Sequence, residues 1–387
     1  MWNARFCKQD LKLEGISSYF PWPNLHLLQQ TVIKPVQFPA SYNREKANSD
    51  ETTFQFSYSN THKNLNDILM APNAAVIEKG HLFDYIKLAR PDHWFKNIFM
   101  LPGMVFAYMY FKPAIDVNTI FILLAGVFST CLVASANYVI NEWLDAKFDK
   151  FHPVKKYRPS VTKALSSRII YLFYALLAIT GLGIAFSISF HFFTVSLFLL
   201  VMGLIYNVEP VRSKDRVYMD VISESVNNPI RFALGWLLLA PAVMPPSSIL
   251  LAYWMGGAFL MGSKRFAEYR FISDKSQAAL YRKSFGKYTE QSLLISTFFY
   301  ALTSVFFLGI FLIKYRIELL LTFPLFALMF AWYLDIAFRK DSTAQRPEEL
   351  YKNSKFMVFI ILLSLFFMVL LFIDIPWLNI FLQNNFG

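Results

Sequence analysis

The chain has 387 residues, of which 56% are hydrophobic, 18% aromatic and only 16% charged. A soluble domain carries about a quarter charged residues, so this chain has too little polar surface for water and must face lipid. That apolar composition excludes disordered and collagenous chains, and two cysteines, Cys7 and Cys131, exclude a disulfide-rich secreted one; the net charge is +11.

Residues 1–80 are polar, carry Pro21, Pro23, Pro35, Pro39 and Pro72, and lack sustained apolar periodicity. No basic stretch precedes an apolar one there, so the segment does not read as a signal peptide. It is expected to be a cytoplasmic extension, partly disordered or resting on the membrane surface through Tyr19, Phe20 and Trp22. Residues 81–387 are expected to form one transmembrane domain. Apolar stretches of spanning length fall near 97–113, 117–140, 168–187, 190–207, 220–240, 247–263, 291–313, 317–336 and 354–376. The pattern predicts an all-α polytopic membrane protein, a bundle of about nine transmembrane helices, with the weakest junction around His191. Continuous apolar runs exclude the alternation of a β-barrel.

The basic residues alternate between links. The link after the second helix holds Lys147, Lys150, Lys155, Lys156, Arg158, Lys163 and Arg168; that after the fourth holds Arg212, Lys214 and Arg216. The links after the sixth and eighth are equally rich, from Lys264 to Lys287 and from Arg339 to Lys355. The opposite links are nearly bare. This alternation predicts a multi-pass inner (plasma) membrane protein, its N-terminus and basic links cytoplasmic and its C-terminus outside.

The segment 141–159, NEWLDAKFDKFHPVKKYRP, is the sharpest chemical feature. Asn141, Asp145 and Asp149 stand four apart and form one stripe on a helix, with Glu142 beside it. Such hard oxygen ligands suit Mg²⁺ held together with substrate phosphates. His152, Lys155, Lys156 and Arg158 follow, donors suited to phosphate oxygens. The plainer alternative is a solvated helix end, but Asn141 and Glu142 close an apolar span, where an unpaired carboxylate is costly.

The string N-E-x-x-D-x-x-x-D-x-x-H-P-x-K-x-x-R-P resembles the first aspartate-rich motif of the UbiA superfamily of intramembrane prenyltransferases, with Glu142 where the usual form has Asp. The His-Pro-x-Lys-x-x-Arg-Pro tail is similar to the decaprenyl-phosphate phosphoribosyltransferase branch. RPDHWFKN at 90–97, KRFAE at 264–268, RKSFGKYTEQSL at 282–293 and the spacing of Lys214, Asp220 and Arg231 resemble the same branch. The resemblance covers about 85–377. Members that prenylate aromatic rings carry a second D-x-x-x-D motif after the sixth helix; here that link reads GSKRFAEYRFISDKSQ, with Glu268 and Asp274 among basic residues. A basic lobe suits a second phosphate group, whereas Lys264 and Arg265 can also be read as membrane-side anchors.

On the fifth helix, Asp220 and Glu224 precede Asn227, Asn228 and Arg231; ionisable residues on a span are functional candidates. Arg231 is expected to pair with Glu224, seven residues earlier, or the charges form a purely structural ion pair. Tyr206 closes the fourth helix, either at the site or as an interfacial anchor. Lys96 and Asn97, matched to the resembling segment, become candidates for the mouth of the site. His81, His93 and His191 show no metal spacing. No phosphate loop, dinucleotide fingerprint or nucleophile elbow occurs, and basic charge interleaved with spans offers no nucleic-acid footprint.

The resemblance implies transfer of 5-phosphoribose from phosphoribosyl pyrophosphate to a polyprenyl phosphate, for lipid-linked pentose donors of cell-surface glycans. Asp145 and Asp149 would be catalytic, with Asn141 and Glu142 as further Mg²⁺ ligands. Lys96, Asn97, His152, Lys155, Lys156, Arg158, Tyr206, Lys214, Asp220, Arg231, Lys264, Arg265 and Glu268 would bind substrate. The alternatives are prenyl transfer to an aromatic acceptor, which needs the second acidic motif, and a transporter, which would more often show repeated halves with broken helices. The sequence allows an oligomer.

Overall fold

The computed structural model describes residues 78–381 other than 273, 340, 341 and 346. The expectations for residues 1–77 lie outside the described residues. Each of the nine apolar segments is helical. A short helix α1 (Leu82–Leu88) leads into a 3₁₀ stretch, Pro91–Met100, and α2 (Leu101–Phe111). Then follow α3 (Val117–Asp149), α4 (Ser167–Ile188), α5 (Phe190–Asn207), α6 (Met219–Ser225), α7 (Asn227–Leu237) and α8 (Ser247–Phe271). The last part comprises α9 (Lys275–Tyr281), α10 (Glu290–Tyr315), α11 (Phe323–Phe338), which continues the 3₁₀ turn Ile317–Thr322, and α12 (Ser354–Phe372). Among the described residues, six helical stretches are long and apolar enough to cross a membrane: 117–149, 167–188, 190–207, 290–315, 317–338 and 354–372. The other three segments depart from that form.

Each departure has a local cause. The first segment opens as 3₁₀ because Pro91 and Pro102 lack N–H groups for regular helical bonding. The fifth splits at Val226 because Pro229 cannot donate to the Ser225 carbonyl. Side chains occupy the carbonyls at this break: Asn227 donates to Glu224 O at 3.0 Å, and Ser225 and Trp254 donate to Ile222 O at 2.9 Å each. Satisfying such groups internally is what permits a broken helix at membrane depth. The sixth, α8, ends in a charged turn. Near His191 the junction is sharp: extended Ser189 ends α4 and caps α5 by accepting from Phe192 N at 3.1 Å.

At 1.5 Å per residue the 33 residues of α3 span about 50 Å, beyond the roughly 30 Å hydrocarbon core. The charged residues of α3, like those of α8 with its 25 residues, are gathered in the C-terminal turns. Below them the interior is apolar: Phe106 meets Phe311 edge-on at 5.1 Å and Phe367 at 5.8 Å, with Phe232 at 6.2 Å. α2 and α7 cross at backbone contact. A Cβ on Gly103 would meet Phe232 O at 2.0 Å, and one on Gly235 would meet Met100 O at 1.9 Å. Small residues at such crossings replace the hydrophobic drive that lipid does not supply. Outward faces carry exposed Leu172, Leu176 and Ile179 on α4 and Phe298, Leu302 and Phe306 on α10. These are lipid-facing surfaces.

Candidate functional site

The charged ends of α3 and α8 enclose a cavity of about 490 Å³. Its first wall is the predicted stripe: the α-helical spacing brings Asn141, Asp145 and Asp149 to one side of α3. Each acid has a basic partner. The Asp145 carboxylate accepts from Arg212 at 2.9 Å and Lys214 at 2.5 Å. Lys214 also donates to the Asn207 side chain at 2.6 Å, which accepts from Asn141 at 2.5 Å. Arg158 donates to Asp149 at 2.8 Å and lies 3.0 Å from Glu142. Burial lowers the Lys214 ammonium to about 8, against the pull of Asp145.

The second wall is formed by Lys264, Arg265 and Glu268 of α8, with the link after α3 and the end of α9 folded against it. Arg265 donates to Glu224 at 2.6 Å and to Glu268 at 3.2 Å; Tyr206 donates to Glu224 at 2.7 Å. Glu268 is shared: Lys155 and the Tyr281 hydroxyl donate to it at 3.0 Å each, and His152 Nε2 lies at 3.3 Å. Lys155 also bonds the Tyr281 hydroxyl. The His152 orientation follows from its chain. Nδ1 accepts from the backbone N–H of Val154 at 3.1 Å and Lys155 at 3.2 Å, which leaves the ring proton on Nε2, toward Glu268. Burial nevertheless lowers the His152 pKa, outweighing Glu268. At the mouth, burial and then Lys96 and Arg90 lower that of His93, so it stays neutral.

Of the residues expected at the site, Lys96, Asn141, Asp145, Asp149, His152, Lys155, Arg158, Tyr206, Lys264, Arg265 and Glu268 line this cavity. Lys214 lies in a small adjoining cavity with Asp145 and Asp149. The others stand off the wall. Glu142 is buried between Arg90, at 3.2 Å, and Arg158. Lys156 is exposed, over the Tyr157 ring. Asp220 is buried behind the second wall. Arg231 donates to Asn97 at 2.9 Å within the bundle, which corrects the expected pairing with Glu224. The break at Val226 separates α6 from α7, and Glu224 serves Arg265 instead.

Sequence reasoning omitted from the site Arg90, His93, Tyr138, Tyr281 and Arg282, which line the cavity, and Arg212, which meets Asp145; Glu224, a candidate on the fifth helix, lines it too. Arg282 opens one of the resembling segments and could have been chosen; Tyr138 and Tyr281 carry no sequence signal. Among the described residues, no three His, Cys, Asp or Glu converge to hold a metal. The donor chemistry still fits Mg²⁺: Asn141, Asp145 and Asp149 are hard oxygen donors on one wall. An ion with so few protein ligands is completed by water and substrate phosphate.

The chain is similar to known proteins in sequence and in fold. A family model described as the UbiA prenyltransferase family matches residues 98–360. A decaprenyl-phosphate phosphoribosyltransferase of Mycolicibacterium smegmatis is 28% identical over 215 residues, 54% of this chain and 63% of that one, so less than two thirds of that relative is spanned. The Mycobacterium tuberculosis protein of the same name is 28% identical over 214 residues, 54% of this chain and 67% of the other. Among solved structures, a UbiA homologue from Archaeoglobus fulgidus bound to GPP and Mg²⁺ aligns with a TM-score of 0.57 at 22% identity, over 75% of this chain and all (100%) of that one. That likeness concerns the fold alone. With a family match that runs through both walls of the cavity and most of the helical bundle, the chain belongs to the UbiA prenyltransferase family.

Proposed function

We propose that the protein is a membrane-embedded transferase that moves 5-phosphoribose from phosphoribosyl pyrophosphate to a polyprenyl phosphate and releases pyrophosphate, for lipid-linked pentose donors of cell-surface glycans. The observation that carries this reading is the second wall. Its carboxylate, Glu268, is already shared by Lys155, Arg265 and the neighbouring His152, while Lys264 and Arg282 line the same cavity. Such a wall has no acidic ladder for a second metal and is suited to a further phosphate group. The names of the two mycobacterial relatives support the same substrates.

Asn141, Asp145 and Asp149 would hold Mg²⁺, which when bound supplies Lewis-acid polarisation of the diphosphate. Glu142 acts from behind, holding Arg90 and Arg158. Arg158 and Lys155 stabilise negative charge as it grows on the leaving diphosphate. Lys264 and Arg265 orient the second phosphate group. An oxygen of the lipid phosphate forms the bond to ribose C1 as the bond from C1 to diphosphate breaks, the electron pair leaving with diphosphate. The attacking group is anionic, so the step needs no general base, in keeping with a neutral His93 and a His152 tied to Glu268. The alternating basic links favour the inner (plasma) membrane, with the cavity and N-terminus cytoplasmic.

The test is purified protein with Mg²⁺, radiolabelled phosphoribosyl pyrophosphate and polyprenyl phosphate, with label expected in the lipid phase. Turnover of a prenyl diphosphate with an aromatic acid, and none with these substrates, would falsify the proposal.

A further inference from the structure

Among the described residues, four carboxylates line the main cavity: Asp145, Asp149, Glu224 and Glu268. Asp145 and Asp149 belong to the stripe of the first wall. Glu268 has both oxygens occupied, Oε1 by Lys155 and Tyr281 and Oε2 by Arg265. Glu224 differs. Its Oε2 takes every hydrogen bond the side chain accepts, from Tyr206 at 2.7 Å and from Arg265 at 2.6 Å. Oε1 has no partner among the described residues and is not shut off from the cavity, the side chain keeping 27% exposure.

The surroundings hold that oxygen in place. Asn227 donates to the Glu224 carbonyl at 3.0 Å, which fixes the backbone at the break between α6 and α7. Tyr206 of α5 and Arg265 of α8 fix the carboxylate, and Arg265 also donates to the Tyr206 hydroxyl at 3.3 Å. An acceptor locked from three helices is a preorganised contact. Its chemistry narrows the ligand. A carboxylate paired with arginine has no proton to donate and repels phosphate, so it takes a hydrogen-bond donor. A metal ion is disfavoured there, because Arg265 bonds the same carboxylate and Lys264 lines the same cavity. A pentose phosphate brings donors, its ring hydroxyls; a prenyl chain brings none. Carboxylates hold ribose hydroxyls in dinucleotide sites on the same ground.

We propose that Glu224 Oε1 accepts a hydrogen bond from a ribose hydroxyl of the substrate and thereby selects a pentose over a group without hydroxyls, with Tyr206 as its positioning residue. The inference rests on the phosphoribosyl reading of the cavity.

Calorimetry on the full chain with Mg²⁺ compares ribose 5-phosphate with its 2-deoxy and 3-deoxy analogues, and uses pyrophosphate as the probe without a sugar. Wild-type protein is expected to bind one deoxy analogue about 10- to 100-fold more weakly than ribose 5-phosphate, the loss of a hydrogen bond to a charged group. The analogue affected names the hydroxyl. Glu224→Gln is expected to shrink that ratio to a few-fold without weakening pyrophosphate. Equal wild-type affinity for the three sugar phosphates overturns the inference alone, before any variant is made; wild-type protein that binds none of them overturns the phosphoribosyl reading with it. A ratio that survives Glu224→Gln overturns the contact, and so does a loss shared equally by pyrophosphate, which would make Glu224 a support for Arg265. Should Glu224→Gln not fold, Tyr206→Phe decides, since it leaves Arg265 as the remaining donor to Oε2. A lowered ratio with unchanged pyrophosphate affinity supports the contact, and an unchanged ratio overturns it.

Discussion

The two walls of the cavity are built alike and charged differently. Each is the charged C-terminal end of a long helix. On α3 the acids stand in register, four residues apart, and their cations arrive from separate segments: Arg158 from the following link, Arg212 and Lys214 from the link after α5. On α8, Lys264 and Arg265 sit within a turn of Glu268, which further shares Lys155 and neighbours His152 from across the cavity. The first wall therefore offers oxygen ligands that a cation and its phosphates can share. The carboxylates of both walls are engaged, but the second has no ladder of acids and has cations in excess. Under the proposed function, opposite electrostatics on two similar scaffolds would let one cavity take a metal–diphosphate at one side and a phosphate at the other.

The sharpest way to break this comparison is on the first wall. Asp145→Asn removes a proposed metal ligand while Arg212 keeps Asn207 O at 2.8 Å and Lys214 keeps the Asn207 side chain. Losing a Lewis-acid contact worth several kcal/mol corresponds to a fall of about 10³-fold in transfer to the lipid phase. The protein is expected to purify normally. Retained activity would mean that the stripe is a structural helix end.

On the second wall the expected loss is of stability first. Glu268→Gln leaves Arg265, Lys155 and Tyr281 around a neutral amide in a buried setting. Breaking a buried ion pair from one side costs about 3 kcal/mol, so the apparent unfolding temperature should fall by several degrees, with activity declining in parallel. A variant with unchanged stability and abolished turnover would make Glu268 a direct ligand and remove the contrast between the walls.

How much of this was legible in the sequence follows the same division. The stripe of Asn141, Asp145 and Asp149 was readable because one helix carries it, and helical period turns spacing into geometry. The nine apolar segments were readable from their length and continuous apolar character, although the fifth is two helices broken at Val226. Glu142 was not resolved: it is adjacent in sequence, but the α-helical step turns it about 100° away from Asn141, between Arg90 and Arg158. Nor was the partner of Arg231, because periodicity across α6 and α7 assumes an unbroken helix and Pro229 interrupts it. Arg282 and Tyr281 reach the cavity through the fold of the link after α8, which has no period from which to read it. Local spacing carries local geometry; contacts between 155 and 281, or 90 and 142, come only with packing.

The smallest expected effect tests whether the walls can be perturbed separately at all. Gly235 lies in the apolar body, in α7, against the backbone of Met100. The added methyl of Gly235→Ala would stand 1.9 Å from Met100 O, a backbone atom that cannot rotate aside, so α7 and the segment from Met100 to Gly103 must separate. Overpacking of this kind costs about 1–3 kcal/mol, read as a lowered unfolding temperature. Because α7 carries neither wall, affinities for pyrophosphate and for ribose 5-phosphate should weaken together, by a similar and small factor. A loss confined to one probe would mean that the α2–α7 crossing sets one wall in particular, and that the division drawn from the charged ends extends into the apolar body.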